Sequence, residues 1–321
     1  MQRPLLEIDA LSISFRTDSG QICVVEDVSF AIATGENVGL VGESGCGKTV
    51  TAMAIMGLNP SPPSRVDSGR ILFEGRDLLA LGSAMRDIRG NRIGMIFQEP
   101  MSSLNPSYKV GFQIAEVLRK HRGMSRAAAR AEVLELLRLV GIGAPASRAS
   151  QYPHELSGGL RQRVVIAMAI ACGPALLIAD EPTTALDVTV QAQILELIKG
   201  LQREIGMSVL LITHDLGIVA ETCERVLVMY AGRIVERASV GALYRHARHP
   251  YTKGLLSSSP RLGHKRPVLA TIPGTVPPPG QRGTGCYFAA RCPRALDQCL
   301  AAIPPLEPVV PGHDAACWNP V

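Results

Sequence analysis

The sequence predicts an α/β fold with a largely parallel central sheet, because short apolar segments alternate with helical patterns through most of the chain. Residues 37–41 predict a buried strand that runs into a glycine-rich turn, and residues 175–179 and 208–212 predict two more strands. Each of them ends at a polar residue, where ligands bind on such sheets. Residues 127–140 have helical periodicity and predict a helix, which Gly141 ends.

The composition indicates one large folded domain with a smaller addition. Of the 321 residues, 46% are hydrophobic and 19% charged. The net charge is only +5 and aromatic residues make up 4%, which disfavours a nucleic-acid partner. Thirteen of the 23 prolines and four of the eight cysteines follow residue 249, and this shift predicts a loop-rich C-terminal extension beyond a boundary near residue 256.

No segment predicts export or a membrane span. The first nine residues carry charges where a signal peptide is apolar. The longest apolar run, residues 164–179, falls short of the roughly 20 residues that span a bilayer. Gly173 and Pro174 interrupt this run, which predicts a buried helix end followed by a buried strand. We therefore expect a cytosolic chain whose contact with a membrane is peripheral.

The segment after the first predicted strand fits the pattern G-x-x-x-x-G-K-[ST] of a phosphate-binding loop. Glycines let backbone N–H groups point at phosphate oxygens, and the next helix adds its positive N-terminal end. The lysine would reach the β- and γ-phosphates, and the threonine hydroxyl would ligate Mg²⁺. The alternative is a glycine-rich turn with an incidental lysine, which the strand–loop–helix order disfavours. The loop consists of Gly42, Glu43, Ser44, Gly45, Cys46, Gly47, Lys48 and Thr49.

Two further segments suit the same chemistry. Asp180 and Glu181 end an apolar strand, where the first carboxylate would hold Mg²⁺ and the second would polarise an attacking water. Ser157 is a helix N-cap candidate, and Gly158 and Gly159 after it would expose N–H groups to an anion. Taken alone, an apolar strand ending in acids and a Ser-Gly-Gly turn are both common structural features.

The order of these motifs resembles that of the ATP-binding subunits of ABC transporters, over roughly residues 5–256. Residues 42–49 are similar to Walker A, 156–160 to the LSGGQ signature, and 180–181 to Walker B. The D-loop, Q-loop and switch-histidine positions match Ala185-Leu186-Asp187, Gln98 and His214. Cys46 stands where serine is more usual and Leu160 where glutamine is.

The resemblance implies a P-loop NTPase fold with a RecA-like core sheet, an antiparallel β subdomain and a helical subdomain at about 99–165. It also implies an ATP-binding domain over residues 1–256 and a Pro- and Cys-rich extension over 257–321. The expected working unit is a head-to-tail pair of cassettes with ATP between them.

Residue roles follow from the same resemblance. ATP and Mg²⁺ would lie between Lys48 and Thr49 of one cassette and the signature of another, while Glu181 acts as general base and His214 holds the γ-phosphate. The resemblance adds Gln98 and Asp180 to the Mg²⁺ site. Phe15 would stack under adenine, although it could equally be a core residue. The full expected nucleotide contact set is residues 42–49 with Phe15, Ser157, Gly158, Gly159, Asp180 and Asp187.

Residues 98–106, 152–155 and 249–252 resemble the branch that serves oligopeptide, dipeptide and nickel importers. A peptide importer is favoured, while nickel, glutathione or another small solute stays open. The implied partners are two transmembrane permease subunits and a second ATPase subunit, which is either a sister chain or an identical one. An extracytoplasmic solute-binding protein would be an indirect partner. The implied location is the cytoplasmic face of the bacterial inner membrane.

Four cysteines of the extension are separated by five, six and seventeen residues, which is not the usual zinc spacing. They leave open an iron–sulfur cluster, a zinc site or unligated thiols. Residues 286–293 resemble the segment that carries a 4Fe–4S site in dipeptide-importer subunits, and His313 is a competing ligand. The four residues are Cys286, Cys292, Cys299 and Cys317.

A different class of function is a soluble ABC ATPase of translation or DNA repair. Translation factors of that type carry two cassettes, whereas this chain has one. Repair proteins insert a long coiled coil between Walker A and the signature, and the stretch from Thr49 to Leu156 is too short for that. A degenerate, regulatory cassette is disfavoured because the expected site residues are all present, namely Lys48, Asp180, Glu181 and His214.

Overall fold

The structure is a computed structural model that describes residues 3–18, 20–98, 103–184, 186–258 and 271–321. The chain forms two compact units. The first contains residues 1–33, 37–80 and 211–321, and the second contains residues 34–36 and 81–210. Ala185, residues 99–102 of the predicted importer motif and the beginning of the predicted extension at 259–270 lie outside the described residues.

The strands described are β1 (Leu6–Thr17), β2 (Gly20–Ile32), β3 (Asn37–Val41), β4 (Ser64–Phe73), β5 (Arg76–Asp77), β6 (Ile93–Ile96), β7 (Leu176–Asp180), β8 (Ser208–Thr213), β9 (Arg225–Tyr230), β10 (Arg233–Ser239), β11 (Glu307–Val310) and β12 (His313–Ala315). The three strands predicted from the sequence correspond to β3, β7 and β8, within one residue at each end.

The helices described span Lys48–Ile55, Met85–Ile88, Val110–Arg122, Arg126–Leu139, Pro145–Ala149, Gly158–Ile170, Val188–Ile205, Leu216–Thr222, Val240–His246, Pro250–Ser258 and Asp297–Ala301. Short 3₁₀ turns occur at Leu78–Ala80, Gly82–Ala84, Pro153–Glu155, Pro279–Gln281 and Ala289–Arg291. The helix predicted at 127–140 is confirmed, with Ser125 as its N-cap and Gly141 in a left-handed conformation after it.

The first unit contains an antiparallel sheet in the order β2-β1-β4-β5. Buried and partly buried residues alternate along β1, so one face of this sheet packs inward. In the same unit, β3 pairs in parallel with β9, while β10 pairs with β9 in antiparallel orientation. The sheet that contains β3, β9 and β10 therefore has both parallel and antiparallel pairs.

The C-terminal extension is not simply a loop-rich tail. Its strands β11 and β12 form a hairpin, and β12 pairs with β10 in antiparallel orientation. The buried Glu236 carboxylate of β10 accepts hydrogen bonds from the backbone N–H groups of Arg248 and His249, and lies 2.6 Å from the His313 ring of β12. These long-range contacts make the extension part of the first unit.

Aromatic side chains join the extension to the core of the first unit. Tyr230, Tyr251 and Phe288 are each at most 2% exposed. Their ring centres lie 4.6–5.4 Å apart in tilted or edge-on arrangements. Aromatic pairs favour this geometry because the edge of one ring is electropositive and the face of the other electronegative.

In the second unit, β6 pairs in parallel with β7. The segment from Gly158 to Asp180 follows its prediction, with a buried helix, a glycine turn at Gly173 and a buried strand. Within the described parts of the chain, none of the helices has the length and apolar character needed to span a membrane.

Truncation of Phe288 should test the integration of the extension. Phe288→Ala removes a fully buried ring and should lower the free energy of unfolding by about 3–5 kcal/mol. Urea denaturation followed by fluorescence of the single tryptophan, Trp318, measures this directly, because Trp318 lies in the extension. Leu300→Ala in the same extension is the control, since Leu300 is 65% exposed. Equal effects of the two changes would contradict a packed extension.

Candidate functional site

The phosphate loop has a backbone that strongly favours glycine at three positions. A Cβ atom on Gly42 would lie 2.2 Å from the Met229 carbonyl oxygen. Gly45 and Gly47 have φ angles of +77° and +109°. Gly47 is the N-cap of the helix Lys48–Ile55, so the loop leads directly into a helix N-terminus. Such a terminus favours bound anions because its N–H groups are unpaired within the helix.

Lys48 is the buried cation of this loop, with 6% exposure. Its ammonium donates hydrogen bonds to the carbonyl oxygens of Gly42 at 2.8 Å and Glu43 at 3.0 Å. The Cys46 sulfur lies 3.8 Å away. Burial raises the pKa of the Cys46 thiol despite the lysine beside it, so this thiol stays protonated near neutral pH. The loop therefore offers a positive charge without a competing thiolate.

Two predicted residues of the second unit are brought together. The Glu181 carboxylate accepts a hydrogen bond from the Thr184 hydroxyl at 2.8 Å, and the Gln98 amide nitrogen lies 3.4 Å from the same oxygen. Glu181 has a φ angle of +46°, a left-handed conformation that is costly for a residue with a side chain. Asp180 before it ends β7 and is 1% exposed. This arrangement presents a carboxylate and an amide that can orient a water molecule.

The signature segment forms a helix start, as its sequence predicts. The Ser157 hydroxyl accepts a hydrogen bond from the Leu160 N–H at the beginning of the helix Gly158–Ile170. A Cβ atom on Gly159 would lie 3.0 Å from a Val190 methyl carbon. Asp187 is likewise an N-cap, accepting a hydrogen bond from the Val190 N–H at 2.9 Å.

The remaining predicted residues occupy separate places in the first unit. Thr49 follows Lys48 and is partly buried. His214 is exposed just after β8, and Asp215 behind it caps the next helix. Phe15 is partly buried near the end of β1, opposite Ile22 of β2. The nucleotide-site roles assigned to all these residues stay predictions.

A groove of about 640 Å³ lies among three helices of the second unit, which are Val110–Arg122, Arg126–Leu139 and Pro145–Ala149. Its apolar surface includes Phe112, which is 49% exposed and stacks at 5.1 Å on Tyr108. The groove's described lining contains no Asp or Glu. Its cationic residues are Lys109, Arg119, Arg126 and Arg130. The groove therefore suits a partner segment with apolar and acidic side chains.

The four cysteines of the extension have free thiols. The pKa of Cys286 is raised to about 11, mainly by burial; the charges of the other three cysteines act in the same direction, and a backbone hydrogen bond opposes them. Burial likewise raises the pKa values of Cys292 and Cys317, again with contributions from neighbouring cysteines. Among the residues that the structure describes, no three His, Cys, Asp or Glu side chains form a group that could hold a metal ion.

Sequence reasoning missed two residues beside the phosphate loop. The Tyr251 hydroxyl accepts a hydrogen bond from the Glu43 N–H at 2.9 Å, and the Arg291 guanidinium forms an ion pair with the Glu43 carboxylate at 3.0 Å. The sequence separations are 208 and 248 residues. No local pattern predicts such pairs, although both residues lie in segments that resemble the importer branch.

Family models match two parts of the chain. The model described as ABC transporter matches residues 25–184, and that of the oligopeptide/dipeptide transporter C-terminal region matches residues 235–299. A probable peptide ABC transporter ATP-binding protein of Sinorhizobium fredii is 52% identical over 98% of this chain and 95% of its own length. The dipeptide transport ATP-binding protein of Escherichia coli is 48% identical over 99% of this chain and 97% of its own length.

A solved structure of an ATP-binding cassette has a similar fold. The dimeric post-hydrolysis state of the ATP-binding cassette MJ0796, bound to ADP and Pi, matches with a TM-score of 0.65 and 28% identity, covering 73% of this chain and 98% of that one. The resemblance found in the sequence is thus confirmed. This chain belongs to the ATP-binding subunits of ABC transporters, in the oligopeptide and dipeptide importer group.

Proposed function

We propose that this chain binds and hydrolyses ATP and thereby drives a membrane importer of di- or oligopeptides. The observation that carries the proposal is the buried Lys48 ammonium in a glycine loop at a helix N-terminus. Such a site neutralises the charge of a polyphosphate. The relatives named as peptide and dipeptide transport proteins support the cargo class.

Mg²⁺ would be held by oxygen ligands from Thr49, Gln98 and Asp180. A hydroxyl, an amide oxygen and a carboxylate are the donors that this cation prefers. When bound, the cation neutralises phosphate charge. Glu181 would accept the proton of the attacking water, with Gln98 orienting that water, and His214 would contact the γ-phosphate.

The second cassette would complete the site from outside this chain. Ser157, Gly158, Gly159 and Asp187 would contact the nucleotide bound to the partner, which is either a sister subunit or an identical chain. Exposure supports this role, because Ser157, Gly158 and Asp187 are all exposed and Val188 is 81% exposed. ATP would thus favour closure of the pair, and hydrolysis would favour opening.

The proposed domain organisation keeps the ATP-binding domain at residues 1–256, its helical subdomain at about 99–165, and the extension at 257–321. The proposed location is the cytoplasmic face of the inner membrane. It follows from pairing with two permease subunits, which receive cargo from an extracytoplasmic solute-binding protein.

Replacement of the proposed base tests the function. Glu181→Gln should keep ATP binding but lower ATP turnover about 100-fold or more, the usual contribution of a general base. Peptide uptake in a deletion strain should be restored by the wild-type gene and not by this variant. Phosphate release and labelled-peptide uptake are the measurements. Glu196→Gln is the control, because that carboxylate is 75% exposed.

Normal peptide uptake in the deletion strain would refute the cargo assignment. Unchanged ATP turnover in Glu181→Gln would refute the assignment of the base. The two outcomes are independent, because the role of Glu181 in ATP hydrolysis does not depend on which solute the importer carries.

We propose the basic groove as the docking site of an acidic, apolar segment of a permease subunit. Reversing two of its charges, Arg126→Glu with Arg130→Glu, should abolish copurification with the permeases at low salt. ATP hydrolysis by the isolated chain should not change. Arg138→Glu, the same kind of change on the same helix, is the control because Arg138 is not among the groove residues. Copurification that survives the double reversal would contradict this site.

The four extension thiols are proposed ligands of a 4Fe–4S cluster. Thiolate donors are the usual ligands of such a cluster. The Cys286 N–H donates a hydrogen bond to the Cys299 carbonyl oxygen at 2.7 Å, although the described thiols do not form a metal-holding group of three. Anaerobically purified protein should contain about four iron and four sulfide per chain. Cys292→Ser should reduce both, whereas Cys172→Ser, outside the extension, should not. Zinc without iron, or equal iron in Cys292→Ser, would contradict the proposal.

A further inference from the structure

One buried arginine of the extension reaches the phosphate loop. The Arg291 side chain is 7% exposed, and its NH1 nitrogen lies 3.0 Å from a Glu43 carboxylate oxygen. The same nitrogen lies 3.3 Å from the Tyr230 hydroxyl, and the guanidinium is 5.7 Å from the centre of that ring. Its remaining nitrogens donate to the carbonyl oxygens of Ile272 and Pro273. The side chain is therefore fixed on several sides.

The charge of Arg291 is retained despite its surroundings. Burial lowers the pKa of the guanidinium, but hydrogen bonds to Glu43 and Tyr230 outweigh this effect and the pKa is raised overall. A buried guanidinium is stable only when its charge is neutralised and its N–H groups are bonded. The Glu43 carboxylate supplies that charge.

Glu43 is held at three points. Its N–H donates to Tyr251, its carboxylate accepts from Arg291, and its carbonyl oxygen accepts from the Lys48 ammonium. The carbonyl oxygen also accepts the Cys46 N–H at 3.3 Å, which closes the loop. The two peptide groups on either side of the Glu43 Cα atom therefore set both the loop conformation and the position of the Lys48 charge.

We propose that Arg291 is a positioning residue for ATP binding and that it acts on the phosphate loop through Glu43. This inference rests on the proposed ATPase function and adds a residue from the extension to that site. Arg291 has two effects: it holds the Glu43 side chain in place, and it neutralises a carboxylate that belongs to the phosphate-binding loop itself.

The charge of Glu43 determines whether ATP affinity should rise or fall when Arg291 is replaced. Without Arg291, the Glu43 carboxylate would repel the phosphates of ATP and would compete with them for Lys48. ATP affinity should therefore fall. Removing the carboxylate as well should restore much of the affinity, because the repulsion is then absent. A residue that merely stabilised the fold would not be rescued in this way.

The test is a double-mutant cycle on ATP hydrolysis by the full chain. Arg291→Met should raise KM for ATP about 10-fold, the factor that corresponds to ~1.4 kcal/mol, with a smaller change in kcat. Glu43→Gln alone should change KM less. In Glu43→Gln with Arg291→Met, KM should return to within about threefold of wild type, which is a large coupling for two residues in contact.

Arg237→Met is the matched control. The Arg237 guanidinium contacts Asp314 of the extension and the Ser29 carbonyl oxygen, which lie outside the phosphate loop, so its loss should leave KM unchanged. An unchanged KM in Arg291→Met would overturn the inference. A second result would also overturn it. In that result, KM is raised in Arg291→Met and stays raised in the double variant, and Tm of Arg291→Met falls by the same amount as Tm of Arg237→Met.

Lys48→Ala separates this inference from the proposed function. If wild-type protein hydrolyses ATP and Lys48→Ala does not, the ATPase function stands, and the result for Arg291→Met decides the role of Arg291 alone. If wild-type protein neither binds nor hydrolyses ATP, the proposed function fails first.

Discussion

The contact between the Lys48 ammonium and the carbonyl oxygens of Gly42 and Glu43 is the interaction on which the candidate site depends. It exists only because the loop backbone turns both carbonyl groups toward one point, and that turn requires glycine. At Gly42 any side chain would meet the Met229 carbonyl oxygen of β9 at 2.2 Å. Close packing of the loop on β9 thus fixes where the positive charge lies, and the charge determines which ligand the loop can hold.

Local sequence chemistry predicts those parts of the fold and site whose interactions are local. The predicted Ser157 cap bonds an N–H group three residues away, and the strand β7 follows from its apolar run. The strands β11 and β12 were not predicted, since they are short and depend on pairing: β11 pairs with β12, and β12 pairs with the distant β10. The Arg291–Glu43 pair was missed for the same reason, because it joins residues 248 positions apart.

The left-handed Glu181 is also beyond prediction from sequence. Nothing in the apolar run of β7 indicates that the residue after Asp180 adopts a φ angle of +46°. The conformation costs free energy and persists because neighbouring contacts hold it, among them the Thr184 hydroxyl on the carboxylate. A side chain held in this way keeps one direction. That direction matters for a group that has to receive a proton from a water molecule at a defined position.

The connection from the core of the first unit to the phosphate loop consists of groups that do not change charge near neutral pH. Burial lowers the pKa of His249 to about 3, so the ring is neutral above that pH and its Nδ1 can accept the Tyr251 N–H. Burial also raises the pKa of Tyr251 far above its usual range, so its hydroxyl stays protonated and accepts the Glu43 N–H. Both hydrogen bonds are therefore present on either side of pH 7. The anchor of the loop stays constant there, and a change of ATP turnover with pH in that range has to arise from groups outside this chain of contacts.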